Sequence, residues 1–193
     1  MRVNPAHTSP LRDYPTSELG VTLVPHHLGA VLRRWNVARS PFAVNTREAP
    51  AYLSAGELII VLAGADQTGG AFGLMESVMA KGDEPPPHVH HREDESFFVL
   101  EGDLTVRVGD DVFSASPGAF VFCPRDVPHL LTLHSEQVRA LTLVTPGGLE
   151  AFFVELGEPA PSRALPAELP ELDIERVVPL AGHYGAEVLT DWP

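Results

Sequence analysis

The chain has 193 residues, 44% of them apolar, and a formal net charge of −13, which is enough for one well-filled core and short for two. An acidic body repels phosphate backbones and anionic lipid, so nucleic acid and membrane surfaces are excluded as expected partners, and a small molecule or another protein remains. The single cysteine, Cys123, excludes an intrachain disulfide framework and fits a reducing compartment.

Charge is unevenly spread: residues 1–50 carry six Arg against three acids, and the remainder carries seven Lys or Arg against twenty-three acids. Residues 1–45 read as an arm, because Pro5, Pro10, Pro15 and Pro25 interrupt every long periodic element and leave only 28–39 for a short helix. The apolar run 21–32 is broken by Pro25-His26-His27, which reads poorly as a signal peptide, and no stretch approaches the roughly twenty apolar residues of a membrane span. A cytoplasmic protein is expected. The arm and the open edges of a barrel predict a homodimer.

From Pro41 onward turn signals become regular. Strands are predicted over 57–63 and 71–79, with a loop over 64–70. Pro85-Pro86-Pro87 then forces an extended approach into His88, since each proline fixes its own φ and biases its predecessor away from helix. Further strands are predicted over 95–100, 104–108, 112–115, 119–123, 129–133 and 138–144, separated by short polar or glycine-containing turns. Short strands at this spacing predict an all-β, antiparallel sandwich or barrel over 46–146. Beyond Gly147-Gly148 the period changes: Leu149, Phe152, Phe153 and Leu156 mark a short amphipathic helix ended by Gly157. After a proline-rich linker, Asp173 is an N-cap for a helix that Pro179 should kink or shorten. Residues 147–193 are thus expected to pack on the barrel as a helical extension.

The run from His88 to Glu95 carries the chemistry. In a strand, residues two apart share a face, so His88 and His90 aim inward while Val89 points away. On the returning strand Glu95 shares its face with Phe97 and Val99, where an ionised carboxylate is costly unless a cation or hydrogen bonds meet it. His129, opening a later strand, answers them. Three imidazoles and a carboxylate suit a divalent iron, nickel, cobalt, manganese or copper ion and leave two positions of a six-coordinate ion open. Structural zinc fits less well, because closed zinc sites draw on cysteine. His91 has the wrong parity for a ligand, Glu93 replaces Glu95 only if the hairpin slips by two, and His134 falls on the face opposite His129. Phe97, Phe120 and Phe122 are read as inward aromatics, most simply core, some of which would also line an apolar substrate pocket in an enzyme.

Two runs carry a resemblance. Gly82-x5-His88-x-His90-x4-Glu95-x6-Gly102 matches the first cupin motif, and Gly118-x5-Pro124-x-Asp126-x2-His129 resembles the second. Asp126 stands where the second motif usually has Gly, and Leu133 where it often ends in Asn. With Gln67-Thr68-Gly69-Gly70, the Pro-Pro-His-Val-His-His stretch and the tail 184–189, the chain is similar to single-domain cupins of the quercetin 2,3-dioxygenase-like group. The resemblance implies a double-stranded β-helix, metal ligands His88, His90, Glu95 and His129, and a dioxygenase acting with O2 on a flavonol-like or enolic aromatic substrate. It also implies that Glu95 both ligates the metal and accepts the substrate proton. A non-catalytic binding or regulatory cupin, a cupin isomerase and a storage-like barrel are the alternatives.

Overall fold

The computed structural model describes residues 40–168, 172–189 and 192. Most of the expected arm, residues 1–39, lies outside the described residues. The hairpin β1 (Ala51–Ser54) and β2 (Glu57–Ala63) comes first, then one helical turn, α1 (Ala65–Thr68), and β3 (Gly73–Ala80). The chain continues through β4 (His88–His90), β5 (Asp94–Glu101), β6 (Leu104–Val108), β7 (Asp111–Ala115), β8 (Phe120–Cys123), β9 (His129–Leu133) and β10 (Gln137–Thr145). It closes with α2 (Glu150–Leu156), β11 (Glu158–Pro159), α3 (Ile174–Tyr184) and β12 (Ala186–Val188).

The strands form two sheets, ordered β11-β1-β2-β3-β10-β5-β8 and β12-β4-β9-β6-β7, with antiparallel pairing throughout. This is the expected double-stranded β-helix. Each sheet turns one face to a shared interior, where Met79, Phe97, Val99, Leu104, Val106, Val121, Leu131, Leu133 and Val138 make the main core. Burying one such side chain stabilises the fold by about 1.5–3 kcal/mol. A second apolar cluster, built on Ala49, Leu58 and Ile60, covers the other face of the β1–β2 end. Among the described residues no helix is long and apolar enough to cross a membrane.

Strand pairing fixes which residues face inward. Glu95 lies opposite Cys123, and Phe97 opposite Val121, so β8 sends Val121 and Cys123 to the interior. Phe120 and Phe122 therefore face out, at 61% and 51% exposure, contrary to the expectation that they line the pocket. The run Phe-Val-Phe-Cys is apolar at both parities, so alternation alone gives no direction, and the larger side chains are the misleading pair.

Three further differences concern the ends of elements. The expected loop 64–70 contains α1, whose Thr68 hydroxyl donates to the Gly64 and Phe72 carbonyls. Strands β1, β11 and β12 carry no period that marks them in the sequence. Helix α3 runs through Pro179 to Tyr184 rather than stopping short of it, with Asp173 accepting a hydrogen bond from the Arg176 amide as the expected cap. Leu149, Phe152 and Leu156 cluster with Val177, Ala181 and Ala186 around Val144 of β10.

Candidate metal centre

Four side chains meet inside the barrel. The proline approach delivers β4, whose His88 pairs with His129 of β9, while β12 holds its other edge through Ala186–His90 and Val188–His88 pairs. β5 brings Glu95 from the opposite sheet. One ligand atom from each of His88, His90, Glu95 and His129 lies within 4.8 Å of the others. Ring centroids are 4.9 Å apart for His88–His90, 4.3 Å for His88–His129 and 5.3 Å for His90–His129.

Ring orientation is set from outside the cluster. His88 Nδ1 bonds the Pro86 carbonyl oxygen at 2.8 Å, leaving Nε2 free to face the other three side chains. His129 Nε2 lies 3.0 Å from Glu95 Oε2. His90 Nε2 lies 3.3 Å from the same oxygen but outside hydrogen-bond geometry, so both its ring nitrogens are buried without a hydrogen-bond partner. Orphaned buried nitrogens are costly. Three imidazoles converging on a carboxylate oxygen, with one ring unsatisfied, are a donor set that fits a divalent transition metal of the borderline class.

Burial and mutual charge set the protonation of the cluster. Burial alone would raise Glu95, but the neighbouring His90 and His129 hold its carboxyl well below the usual range. Burial, with the His129 and His90 charges, pushes His88 down to about 3, so its imidazole is neutral and its lone pair is available. For His90 the Glu95 carboxylate outweighs burial and raises it.

The remaining acidic and histidine residues near the motif separate from the cluster. His91 is exposed, with Nδ1 2.8 Å from Asp126 Oδ1 and Nε2 3.2 Å from Glu187 Oε2. Glu93 is buried, yet β5 places Glu95 in the cluster and Glu93 outside it, because Glu95 is held between Cys123 and Val144. Asp94 makes a two-point contact with Arg125 at 3.0 and 2.9 Å. His134 faces solvent and meets the Thr105 hydroxyl at 2.7 Å. Asp126 occupies the position that usually holds Gly and has a φ of +61°, while its amide donates to the His90 carbonyl. Aspartate is among the few residues that adopt this left-handed conformation readily, so the turn keeps its shape.

The cluster opens onto a largely apolar cavity. Phe97, one of the three expected aromatics, lines it with Met79 and Leu131 from the barrel. Much of the rest comes from the C-terminal segment: Leu149, Phe152, Phe153, Val177, Ala181 and Ala186. Sequence reasoning assigned that segment to packing and missed its place as a wall. It also passed over Glu57, Ser77 and Thr142, which face the cavity; Ser77 and Thr142 share a 2.9 Å hydrogen bond between hydroxyls. The available signal was a polar residue among the inward-parity apolar residues of β3 and β10, whereas β2 is apolar at both parities and gave none for Glu57. Cys123 is buried, and burial raises its thiol, as expected of an inert cysteine.

Residues 75–146 match the family model described as Cupin domain. Quercetin 2,3-dioxygenase of Bacillus subtilis (strain 168) is 28% identical over 138 residues, 72% of this chain; the chain spans 41% of that relative's length. Among solved structures, KdgF from Halomonas sp. aligns with a TM-score of 0.50 at 18% identity, covering 58% of this chain and 98% of its own. An RmlC-like cupin from Shewanella frigidimarina NCIMB 400 gives 0.51 at 17% identity, covering 60% and 99%. At these identities the two structures bear on the fold alone.

Proposed function

Because the chain belongs to the cupin superfamily, we propose that it is a metal-dependent dioxygenase of the quercetin 2,3-dioxygenase-like type, acting with O2 on a flavonol-like or enolic aromatic substrate. The observation that carries this reading is the three-histidine, one-carboxylate cluster at the inner end of an apolar cavity. His88, His90, Glu95 and His129 would hold one divalent transition metal. Bound there, it supplies Lewis acidity and a template for substrate and O2.

The chain's own residues supply the rest. Glu95 would accept the enol proton at its carboxylate, which leaves the substrate as the more electron-rich enolate. Phe97, Leu131 and the C-terminal wall exclude water and bind the flat apolar body of the substrate. The reading is tested by oxygen uptake with quercetin and related enols on metal-loaded protein. Wild type is expected to consume O2 and Glu95→Ala to lose turnover with its fold intact. Turnover retained in that variant would sink Glu95 as the base. A loaded wild type inert toward every enol would leave a binding protein.

We also propose a homodimer in the cytoplasm. Phe98, Phe120 and Phe122 stand together on the outer face of β5 and β8 at the end of the larger sheet, and a second copy would remove them from water.

A further inference from the structure

Glu57 opens β2, which β3 and β10 separate from β5 in the larger sheet, is 5% exposed, and shares the cavity wall with Glu95. Among the described residues no hydrogen bond or ion pair reaches its carboxyl, and no Lys or Arg lines this cavity, although Glu57 also borders a neighbouring groove that carries Asp173 and Arg176. Its strand neighbours Ser54 and Met79 offer it nothing charged. A buried carboxyl without a partner lowers stability, and Met or Leu would fill this position better. The polar group therefore answers to something that enters the cavity.

We propose that Glu57 is a ligand-recognition residue, whose carboxyl exchanges hydrogen bonds with a hydroxyl on the part of the ligand away from the metal-chelating oxygens. This deepens the flavonol reading, on which its ligand measurements rest. The cavity has no cation to meet a carboxylate or phosphate there, and its walls of Met79, Phe97, Leu131 and Phe152 suit a neutral aromatic body. Burial, helped by the Glu95 charge, raises Glu57 to about 8, so at neutral pH it keeps a proton to donate as well as an oxygen to accept.

The test compares two flavonols on metal-loaded protein by their absorbance change on binding. Both carry the 3-hydroxyl and 4-carbonyl pair, but 3-hydroxyflavone lacks the remaining hydroxyls of quercetin. Wild type is expected to favour quercetin by about fivefold or more. Glu57→Met should erase that preference while leaving 3-hydroxyflavone affinity within about twofold. Glu57→Gln, which keeps a donor and an acceptor, should retain most of it. Discrimination unchanged in Glu57→Met, or lost equally in both variants, overturns the assignment. If wild type binds neither compound, the flavonol reading fails separately, and thermal unfolding decides for Glu57. A residue kept for a ligand is expected to give a Glu57→Met protein that melts roughly 2–4 °C higher; an unchanged or lower midpoint overturns the proposal.

Discussion

His90 is the most informative single residue of the cluster, because neither of its ring nitrogens has a hydrogen-bond partner. Elemental analysis of untagged protein is expected to find about one transition metal ion per chain in wild type and almost none in His90→Ala. Glu57 makes a prediction in pH. With its folded value raised to about 8 from an ordinary 4.5, the native chain holds a proton that the unfolded chain has released between those limits. Wild-type stability from this group is complete below about pH 4.5 and is lost as pH rises through about 8. Urea unfolding from pH 5 to 8 should therefore show Glu57→Gln gaining on wild type as pH rises, by at most roughly 4–5 kcal/mol. A pH-independent difference would show that Glu57 is ionised in the fold.

At the scale of elements, Glu150 joins the C-terminal helices to the barrel. Its buried carboxylate accepts from the Ala65 amide of α1 and, at 2.8 Å, from the Gly148 amide ahead of α2. Glu150→Ala leaves those backbone donors without their partner and is expected to cost about 2–3 kcal/mol in chemical unfolding. The turn between β5 and β6 rests on Gly102, whose φ is +80° and whose added Cβ would fall on the Gln137 carbonyl oxygen. Gly102→Ala should lower stability by at least about 1 kcal/mol without removing any of the four cluster side chains. Metal content unchanged per folded chain would separate this structural effect from an effect on the site.

The whole molecule couples the site to stability, because its four donors come from β4 and β9 of one sheet and β5 of the other. Metal at a hundred times its dissociation constant is expected to add about 2.7 kcal/mol, raising the midpoint of thermal unfolding by roughly 5–10 °C. His90→Ala should show no such rise. Light scattering on wild type should give twice the chain mass, and Phe120→Ser with Phe122→Ser should shift it toward one chain.

The sequence by itself marked the ligand-bearing segment, since strand parity puts His88 and His90 on one face and Glu95 on the inward face of its own strand with Phe97 and Val99, although β4 and β5 pair in opposite sheets rather than as the expected hairpin. It also determined most of the strands from 57 to 145, whose alternation and turns are local properties. Three things were decided only by tertiary structure. Register, a pairing between distant strands, sent Phe120 and Phe122 outward and put Glu95 rather than Glu93 in the cluster. The cavity wall drew on 149–186 because an amphipathic face specifies burial but not the surface that buries it. Glu57 lay unnoticed at the head of a strand that is apolar on both faces, where no local pattern tells interior from exterior.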